Sequence, residues 1–350
     1  MWVASFKLLA YSGDRGALAH PGIRNASGWK WAALLLLPFF PAKKGREPAR
    51  TSPTWAAMGI LCRLALWLGL NQLLLAPPFE LPAAARHVCY AGYMWFFVSL
   101  CLDLATPLSG ALLSGVPLQP AMDAPYAAVS VREFWGRRYN QIVSATLLET
   151  VYKPLVERRW VAEPRPDTAS PADASAGAQA GSKRVAVRAG PPPDRADAPA
   201  GPSLGNGAPA TPDPQTPKAA AAQRPRVSTG LSVAALMASF VVSGLMHELV
   251  IAMMCRRLEG SFRMTSFFIA QPLIILAQET ATNALVPAKL REQTLVRLLR
   301  TAVTLALVLG SAELFWSALE SCRIDQRGLE EVVGSITAVM ERVRGAGLLG

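Results

Sequence analysis

The amino-acid sequence predicts an all-α protein that crosses a membrane several times. Of its 350 residues, 51% are hydrophobic, and the mean hydropathy is +0.26. The apolar residues are gathered in long runs, which is typical of membrane-spanning helices. The net charge of +11 is spread over the connections between these runs. This distribution favours membrane orientation and contact with anionic lipid headgroups over nucleic-acid binding.

Four stretches are predicted to contain spanning helices: residues 55–75, 87–113, 231–255 and 298–319. The run at residues 29–40 is too short to cross a bilayer upright and is predicted to be re-entrant or interfacial. His87, at the edge of a span, is predicted to be a plain interfacial residue. Residues 262–285 form an apolar amphipathic stretch that carries Gln271 and Gln278.

The chain is predicted to have four regions. Residues 1–160 hold the N-terminal transmembrane helices and an interfacial segment, and residues 227–320 hold further transmembrane helices. Between them, residues 161–226 are dominated by Ala, Pro, Gly and Ser. Such a segment lacks the large apolar side chains that a core needs, so it is predicted to be a disordered cytosolic insertion. Residues 321–350 are predicted to form an amphipathic tail at the membrane surface.

The five cysteines have no metal or redox spacing and lie mostly in or beside apolar runs: Cys62, Cys89, Cys101, Cys255 and Cys322. They are predicted to be apolar filler without a disulfide framework. The pair His247–Glu248 begins like the zinc motif H-E-x-x-H, but Ile251 stands where the second histidine is required. The sequence therefore predicts no metal site.

One ionisable pair lies at membrane depth. Within the hydrophobic residues 233–254, only His247 and Glu248 can carry charge. Such groups are costly in a bilayer, so each normally has a partner or a function. One interpretation is a functional histidine, and the alternative is a buried histidine that a neighbouring helix satisfies.

The helix around His247 is predicted to have a narrow polar stripe. Ser239, Ser243 and His247 follow one another at intervals of four residues, which places them on one helix face. Glu248 points about 100° away from His247, so it is predicted to pair with a neighbouring helix instead. Gly244 is small enough to let another helix approach closely.

A second motif lies at residues 130–140, Ser-Val-Arg-Glu-Phe-Trp-Gly-Arg-Arg-Tyr-Asn, which we call the signature segment. Ser130 and Glu133 have the spacing of a capping box that starts a helix. The residues that follow mix aromatic and cationic side chains and are too polar to span. They predict a helix at the membrane surface or in a polar cavity, and an anchoring interfacial helix is the alternative.

The signature segment resembles the S-x-x-[DE]-F-W-G-R-R-W-N motif of the wax ester synthase-like branch of the membrane-bound O-acyltransferases. Residues 150–154 and 243–248 resemble the same branch in the same order, and residues 6–9 with Gly16 resemble an early family segment. Tyr139 stands where the family has Trp. The insertion is longer than usual, and by this resemblance the sequence is expected to begin partway into the family's first helices.

The resemblance implies acyl transfer from acyl-CoA to a lipid hydroxyl in a buried chamber between helices. It implies His247 as the catalytic residue and Asn140 as its partner. A neutral buried imidazole suits the proton transfer, and an amide suits a developing oxyanion. The remaining predicted site residues contact substrate: Arg132, Trp135, Arg137, Arg138, Tyr139 and Ser243. No metal and no cofactor is implied beyond acyl-CoA as co-substrate.

Four cations near Asn140 are candidates for the CoA phosphates: Arg132, Arg137, Arg138 and Lys153. Headgroup contact is the alternative. A long-chain alcohol is the first choice of acceptor, which predicts wax ester synthesis in the endoplasmic reticulum, and a sterol or diacylglycerol is the alternative. A hypothesis from another class is a proton-coupled transporter with His247 and Glu248 as the relay. It requires internal repeats and paired broken helices, which the sequence lacks.

Overall fold

The computed structural model describes residues 2–24, 26–42, 52–113, 116–163, 228–256 and 262–345. Numbered in chain order, the α-helices in these ranges are α1 (Trp2–Ser12), α2 (Pro21–Arg24), α3 (Gly28–Leu36), α4 (Pro53–Leu75), α5 (Ala83–Leu112), α6 (Val131–Glu133), α7 (Gln141–Leu147), α8 (Lys153–Glu157), α9 (Thr229–Cys255), α10 (Arg263–Leu285), α11 (Thr294–Ser311), α12 (Glu313–Glu320) and α13 (Ile324–Gly345). These ranges contain no β-strand, and an isolated antiparallel bridge joins Pro41 to Leu118. The all-α prediction is confirmed.

Shorter helical segments connect these helices. Two are π-helical, Phe134–Arg138 and Leu148–Tyr152, and two are 3₁₀ turns, Pro125–Ala127 and Ala288–Leu290. Residues 1–161 and 227–350 form one compact unit and residues 162–226 a second. Apart from residues 162 and 163, the second unit lies outside the described residues, and so does the predicted disorder of the insertion.

Four segments in the described part of the chain are long and apolar enough to cross a membrane: Thr54–Leu75, Ala83–Leu104, Thr229–Cys255 and Thr294–Glu320. Each overlaps one of the four predicted spans, and the second begins and ends earlier than the predicted residues 87–113. The last of them bends at Ala312, where α11 ends and α12 begins. Arg63 of α4 is paired with Asp103 of α5 at 2.6 Å, so the cation inside this span has an anionic partner.

Helices α9 and α10 pack closely beside His247. A Cβ atom added to Gly244 would lie 3.0 Å from Thr265 Cα and 3.1 Å from Phe268 Cβ, so only glycine fits there without displacing a neighbour. One turn on, the buried Glu248 carboxylate accepts hydrogen bonds from Thr265 N at 3.0 Å and Thr265 Oγ1 at 3.1 Å. A carboxylate is favourable at the start of a helix such as α10. The predicted pairing of Glu248 with a neighbouring helix is confirmed.

The N-terminal helix α1 is attached to the bundle through two buried cations. Lys7 is 2% exposed, and its Nζ donates to the carbonyl oxygens of Leu34 and Leu37 at 2.6 Å. Arg15, 3% exposed, pairs with Glu157 of α8 at 2.5 Å. These contacts fix α1 against α3 and against the segment that follows Asn140.

Two predictions are wrong: that the cysteines form no disulfide framework, and that His87 is a plain interfacial residue. Cys255, at the end of α9, forms a disulfide with Cys322, which lies between α12 and α13. The two are 67 residues apart in sequence but their Cα atoms are 6.0 Å apart. Spacing along the chain does not reveal such a pair, because the packing of the helices brings the two cysteines together.

His87 is buried rather than interfacial. Its Nδ1 lies 2.8 Å from Glu313 Oε2 and its Nε2 lies 3.7 Å from Glu320 Oε1. Both carboxylates belong to α12, so the His87 side chain reaches the first and the last residue of that helix. The predicted helical tail is present as α13, and its Leu329 is buried at 2% exposure.

Candidate active site

A cavity of about 650 Å³ lies between the signature segment and helices α5, α7, α9, α10, α11 and α12. Its size is within the usual range for small-molecule sites. Apolar and aromatic side chains form most of its wall. Six of the eight predicted site residues line it: Arg132, Trp135, Tyr139, Asn140, Ser243 and His247. The other two, Arg137 and Arg138, do not. The cavity therefore joins two motifs that a long insertion separates in sequence.

The polar stripe of α9 faces this cavity. Ser239, Ser243 and His247 all line it, as the four-residue spacing predicted. Ser239 Oγ donates to Ala235 O within the same helix at 2.8 Å. The stripe therefore reaches the cavity wall without leaving a polar group of Ser239 unpaired.

The hydrogen bond of His247 determines which ring nitrogen carries the proton. Nδ1 lies 2.7 Å from the backbone oxygen of Ser243. Because a carbonyl oxygen only accepts, the neutral ring carries its proton on Nδ1, and Nε2 keeps its lone pair. Among the described residues Nε2 has no hydrogen-bond partner. The Phe268 ring lies against the imidazole, with a centroid distance of 4.4 Å. His247 is thus prepared to accept a proton at Nε2.

Asn140 sits at a turn that few residues adopt. Its φ of 42° and ψ of 60° are left-handed, a conformation in which asparagine is better tolerated than most side chains. Its Oδ1 accepts from Val143 N at 3.4 Å and so caps the start of α7. Because the oxygen serves the cap, the Nδ2 group is the part of the amide left to donate into the cavity.

The signature segment starts as its sequence predicted. Ser130 Oγ accepts from Glu133 N at 3.1 Å, and Glu133 Oε2 accepts from Val129 N at 2.9 Å. This is the reciprocal arrangement of a capping box, with the glutamate reaching one residue further back. The helix then widens into the π-helical turn Phe134–Arg138, an irregularity that occurs frequently at functional sites.

Trp135 is the centre of the aromatic wall. Its ring lies within about 5 to 6 Å of five other rings, those of Phe134, Tyr139, Phe240, Phe267 and Phe268. Phe268 also contacts His247, and Tyr139 precedes Asn140 in the chain. Burial raises the pKa of the Tyr139 hydroxyl to about 12, so this residue is neutral in the wall.

Three of the four predicted phosphate-binding cations already have carboxylate partners. Arg132 pairs with Glu279 of α10, and Lys153 pairs with Glu149 at 2.6 Å. The hydrogen bond with Glu279 raises the pKa of Arg132 above its usual value, although burial opposes this.

Arg138 is tied into the signature segment. It pairs with Glu133 at 2.8 Å and donates to the carbonyl oxygen of Asp123 at 3.1 Å. Burial alone raises the pKa of Glu133, but the hydrogen bonds from Val129 and Arg138 outweigh it and lower that pKa. Arg137 is exposed and has no ion-pair or hydrogen-bond partner among the described residues. It is therefore the cation of the four that is available to a phosphate.

Sequence reasoning did not assign Gln271 or Gln278 to the site, although both were visible as polar residues in an apolar stretch. Gln271 is completely buried and accepts from Trp135 Nε1 at 3.0 Å. An amide in an apolar helical stretch was the available signal, since a buried polar group needs hydrogen-bond partners. In the described part of the chain, no group of three or more His, Cys, Asp or Glu side chains could hold a metal ion.

A helical membrane protein with a histidine base and an amide donor on one apolar cavity has the parts that an acyltransferase of lipids needs. Residues 118–164, which include the whole signature segment, match the model of the membrane bound O-acyl transferase family. This match and the relatives described next support the membrane-bound O-acyltransferase family and its wax ester synthase-like branch, which the signature segment predicted.

The relatives agree with this assignment. The chain is 30% identical over 169 residues to a "Long-chain-alcohol O-fatty-acyltransferase" of Simmondsia chinensis, a match that covers 46% of this chain and 47% of the relative. It is 29% identical over 161 residues to an "Acyl-CoA--sterol O-acyltransferase 1" of Arabidopsis thaliana, covering 45% of each. The chain thus matches just under half the length of these relatives. No solved structure matches it.

Proposed function

We propose that this protein transfers a fatty acyl group from acyl-CoA to a long-chain alcohol and so makes a wax ester. The observation that carries the proposal is the hydrogen bond from His247 Nδ1 to Ser243 O. This bond leaves the lone pair of Nε2 on a ring that lines the same cavity as Asn140. The substrates are proposed from what the relatives are named for.

In the proposed reaction, His247 Nε2 takes the proton of the alcohol hydroxyl. The alcohol oxygen attacks the thioester carbonyl carbon, the C–O bond of the ester forms, and the C–S bond then breaks. The proton on Nε2 passes to the leaving sulfur, so the products are the ester and free CoA. The carbonyl oxygen of Ser243 accepts from Nδ1–H throughout and stabilises the protonated ring. General base catalysis of this kind contributes about 10²–10⁴-fold.

Asn140 is proposed to donate from Nδ2 to the carbonyl oxygen of the thioester. Negative charge develops on that oxygen as the alcohol attacks, and a fixed donor in an apolar cavity stabilises it. The capping bond to Val143 supports this role, because it holds the amide in one orientation.

The acyl-CoA is proposed to bind with its nucleotide near Arg137 and its acyl chain in the apolar cavity. Arg137 is exposed and adjoins the cavity-lining Gly136. Among the described residues this guanidinium forms no ion pair or hydrogen bond, so it can form charge-assisted hydrogen bonds with phosphate oxygens. The other substrate-binding residues are proposed to be Arg132, Trp135, Tyr139 and Ser243, with Arg138 supporting the turn that carries them.

A sterol is the second candidate acceptor, because one relative is named as a sterol acyltransferase. A long-chain alcohol, a sterol and diacylglycerol each carry a single reacting hydroxyl, so the chemistry at His247 is the same for each. The acyltransferase names also favour an enzyme over the proton-coupled transporter.

The test is ester formation by membranes that contain the full chain. Labelled palmitoyl-CoA is supplied with hexadecanol, a sterol or diacylglycerol in separate reactions, and the ester is separated and counted. We expect ester from hexadecanol, and loss of all but a few per cent of it in the variant His247→Ala, which removes the general base. Equal membrane insertion of the variant is the control. A variant that keeps a tenth or more of the activity would refute the base assignment.

We also propose the endoplasmic reticulum as the location. The Cys255–Cys322 disulfide supports this, since disulfides persist in oxidising compartments such as its lumen. It would place the end of α9 on the lumenal side. In sealed microsomes, a membrane-impermeant maleimide should label these cysteines only after both reduction and permeabilisation. Labelling in unreduced intact vesicles would contradict this orientation.

A further inference from the structure

The completely buried Gln271 side chain joins three elements of the protein. Its Oε1 accepts from Trp135 Nε1 of the signature segment at 3.0 Å, and its Nε2 donates to Ser311 Oγ of α11 at 3.0 Å and to Phe267 O at 3.3 Å. An indole N–H only donates, so the oxygen of Gln271 has to face Trp135. The amide therefore has one orientation, with both of its ends occupied.

Seven residues further along α10, Gln278 repeats this arrangement. Its Oε1 accepts from the backbone nitrogen of Val131 at 2.7 Å, and its Nε2 donates to Thr304 Oγ1 of α11 at 2.9 Å. Two helical turns thus separate the two glutamines, and two turns also separate their hydroxyl partners on α11. We call the pair the glutamine ladder. It fastens the signature segment to α10 and α11 by polar bonds within a largely apolar setting.

The two glutamines of the ladder accept hydrogen bonds from different kinds of group in the signature segment. Gln278 accepts from a backbone nitrogen at the start of α6, whereas Gln271 accepts from a side chain that lines the cavity. Trp135 contacts Phe268, whose ring lies against His247, and it contacts Tyr139, which precedes Asn140. The indole is therefore linked to each candidate catalytic residue through one intervening aromatic residue.

We propose that Gln271 is a positioning residue for acyl transfer, which it serves by fixing the Trp135 indole between His247 and Asn140. This rests on the proposed function. Gln271 does not line the cavity, whereas its hydrogen-bond partner Trp135 does, so Gln271 acts through Trp135. Catalytic groups have to be held close to the reacting geometry, and a misplacement of about 1 Å can cost about 10²-fold in rate.

The test compares Gln271→Met with Gln278→Met. Methionine keeps the length of the side chain and removes its hydrogen bonds, so each variant deletes the polar contacts of one glutamine of the ladder. We expect similar losses of thermal stability, because each leaves comparable polar groups unpaired. For kcat we expect a fall of about 10–100-fold for Gln271→Met, with the KM for acyl-CoA unchanged, and a fall of less than about twofold for Gln278→Met.

A double-mutant cycle shows whether Gln271 acts through the indole. Trp135→Phe keeps the ring stack and removes the N–H donor. If the proposal is right, Trp135→Phe combined with Gln271→Met lowers kcat little more than the larger single effect, since both remove the same bond.

Three results would overturn the proposal. One is a kcat of Gln271→Met equal to that of the unaltered chain, and another is an equal fall in Gln278→Met, which would mean a general structural role. The third is a double variant whose losses multiply. An unaltered chain that makes no ester from hexadecanol, a sterol or diacylglycerol would refute the proposed function itself, and this inference with it.

Discussion

The His247 side of the cavity is one regular helix, whereas the Asn140 side is a series of short, irregular turns. Helix α9 runs unbroken over Thr229–Cys255. The signature segment passes from a three-residue α-helix through a π-helical turn to a left-handed residue before α7 begins. The same cavity is thus lined by two kinds of backbone.

The two sides also differ in what holds them. At Gly244 of α9 there is no room for a methyl group, while at Gly136 of the signature segment no described residue beyond its own chain neighbours and helix backbone lies within 4 Å of a Cβ position. Close packing sets the position of the His247 side. The Asn140 side depends on side-chain hydrogen bonds, from the capping box to the glutamine ladder. A regular helix pairs its backbone groups internally, whereas an irregular segment needs side chains to satisfy some of its backbone groups.

Among the substitutions that distinguish the two sides of the cavity, the largest loss of activity is expected at Asn140. Asn140→Asp keeps the capping oxygen and a residue type tolerated in the left-handed region, but it removes the Nδ2 donor. We expect the rate of ester formation to fall about 10²-fold, the size typical of one lost oxyanion donor. Thermal stability should change little.

The uncharged variant Asn140→Gly serves as the control for the new carboxylate. It also accepts the left-handed backbone, and it should lose a similar fraction of the rate. If Asn140→Asp retains most of the activity, Asn140 shapes the turn and does not take part in the transition state.

The next effect tests close packing. Gly244→Ala places a methyl group about 3 Å from the backbone of Thr265 and from Phe268 Cβ, and neither can yield by a rotamer change. We expect a loss of about 1–3 kcal/mol in stability. Because His247 is one turn away, the rate should fall as well.

Gly230→Ala, on the same helix but with no atom within 4 Å, is the matched control. Alanine there should keep or raise stability, since glycine is about 0.5–1 kcal/mol less favourable in a helix. Similar thermal denaturation curves for the two variants would show that the close contact at Gly244 does not hold α9 and α10 together.

The smallest effect is expected at the exposed cation of the signature segment. Arg137→Ala should raise the KM for acyl-CoA roughly fivefold, the size of one partly screened ionic contact, and leave kcat and the KM for the alcohol unchanged. Arg138→Ala should instead lower stability, because it leaves Glu133 without its cation. An unchanged KM in Arg137→Ala would assign this residue to lipid headgroups.

Much of α9 could be predicted from the sequence because, in a regular helix, the spacing between residues fixes the direction in which each side chain points. The polar stripe of Ser239, Ser243 and His247 and the divergence of Glu248 both follow from 3.6 residues per turn. The small size of Gly244 was likewise readable, because close approach of helices selects small residues. These features are local, so no knowledge of the neighbours was needed.

The rest depended on contacts between distant segments. The left-handed turn at Asn140 has no periodic signal, and the partners of Gln271 lie on two other elements. The Cys255–Cys322 bond and the burial of His87 against α12 likewise arise from how helices pack. Residue type alone made Gln271 notable, yet only the structure shows that Trp135 is its partner.

The central claim is that the two sides form a single site. The most direct test is a double-mutant cycle on the rate of ester formation with His247→Ala, Asn140→Asp and the two combined. Groups that act in one transition state lose most of their effect when either is removed. We predict that the combined variant is about as slow as His247→Ala alone. A combined loss equal to the product of the two single losses would contradict it, and would mean that His247 and Asn140 act independently.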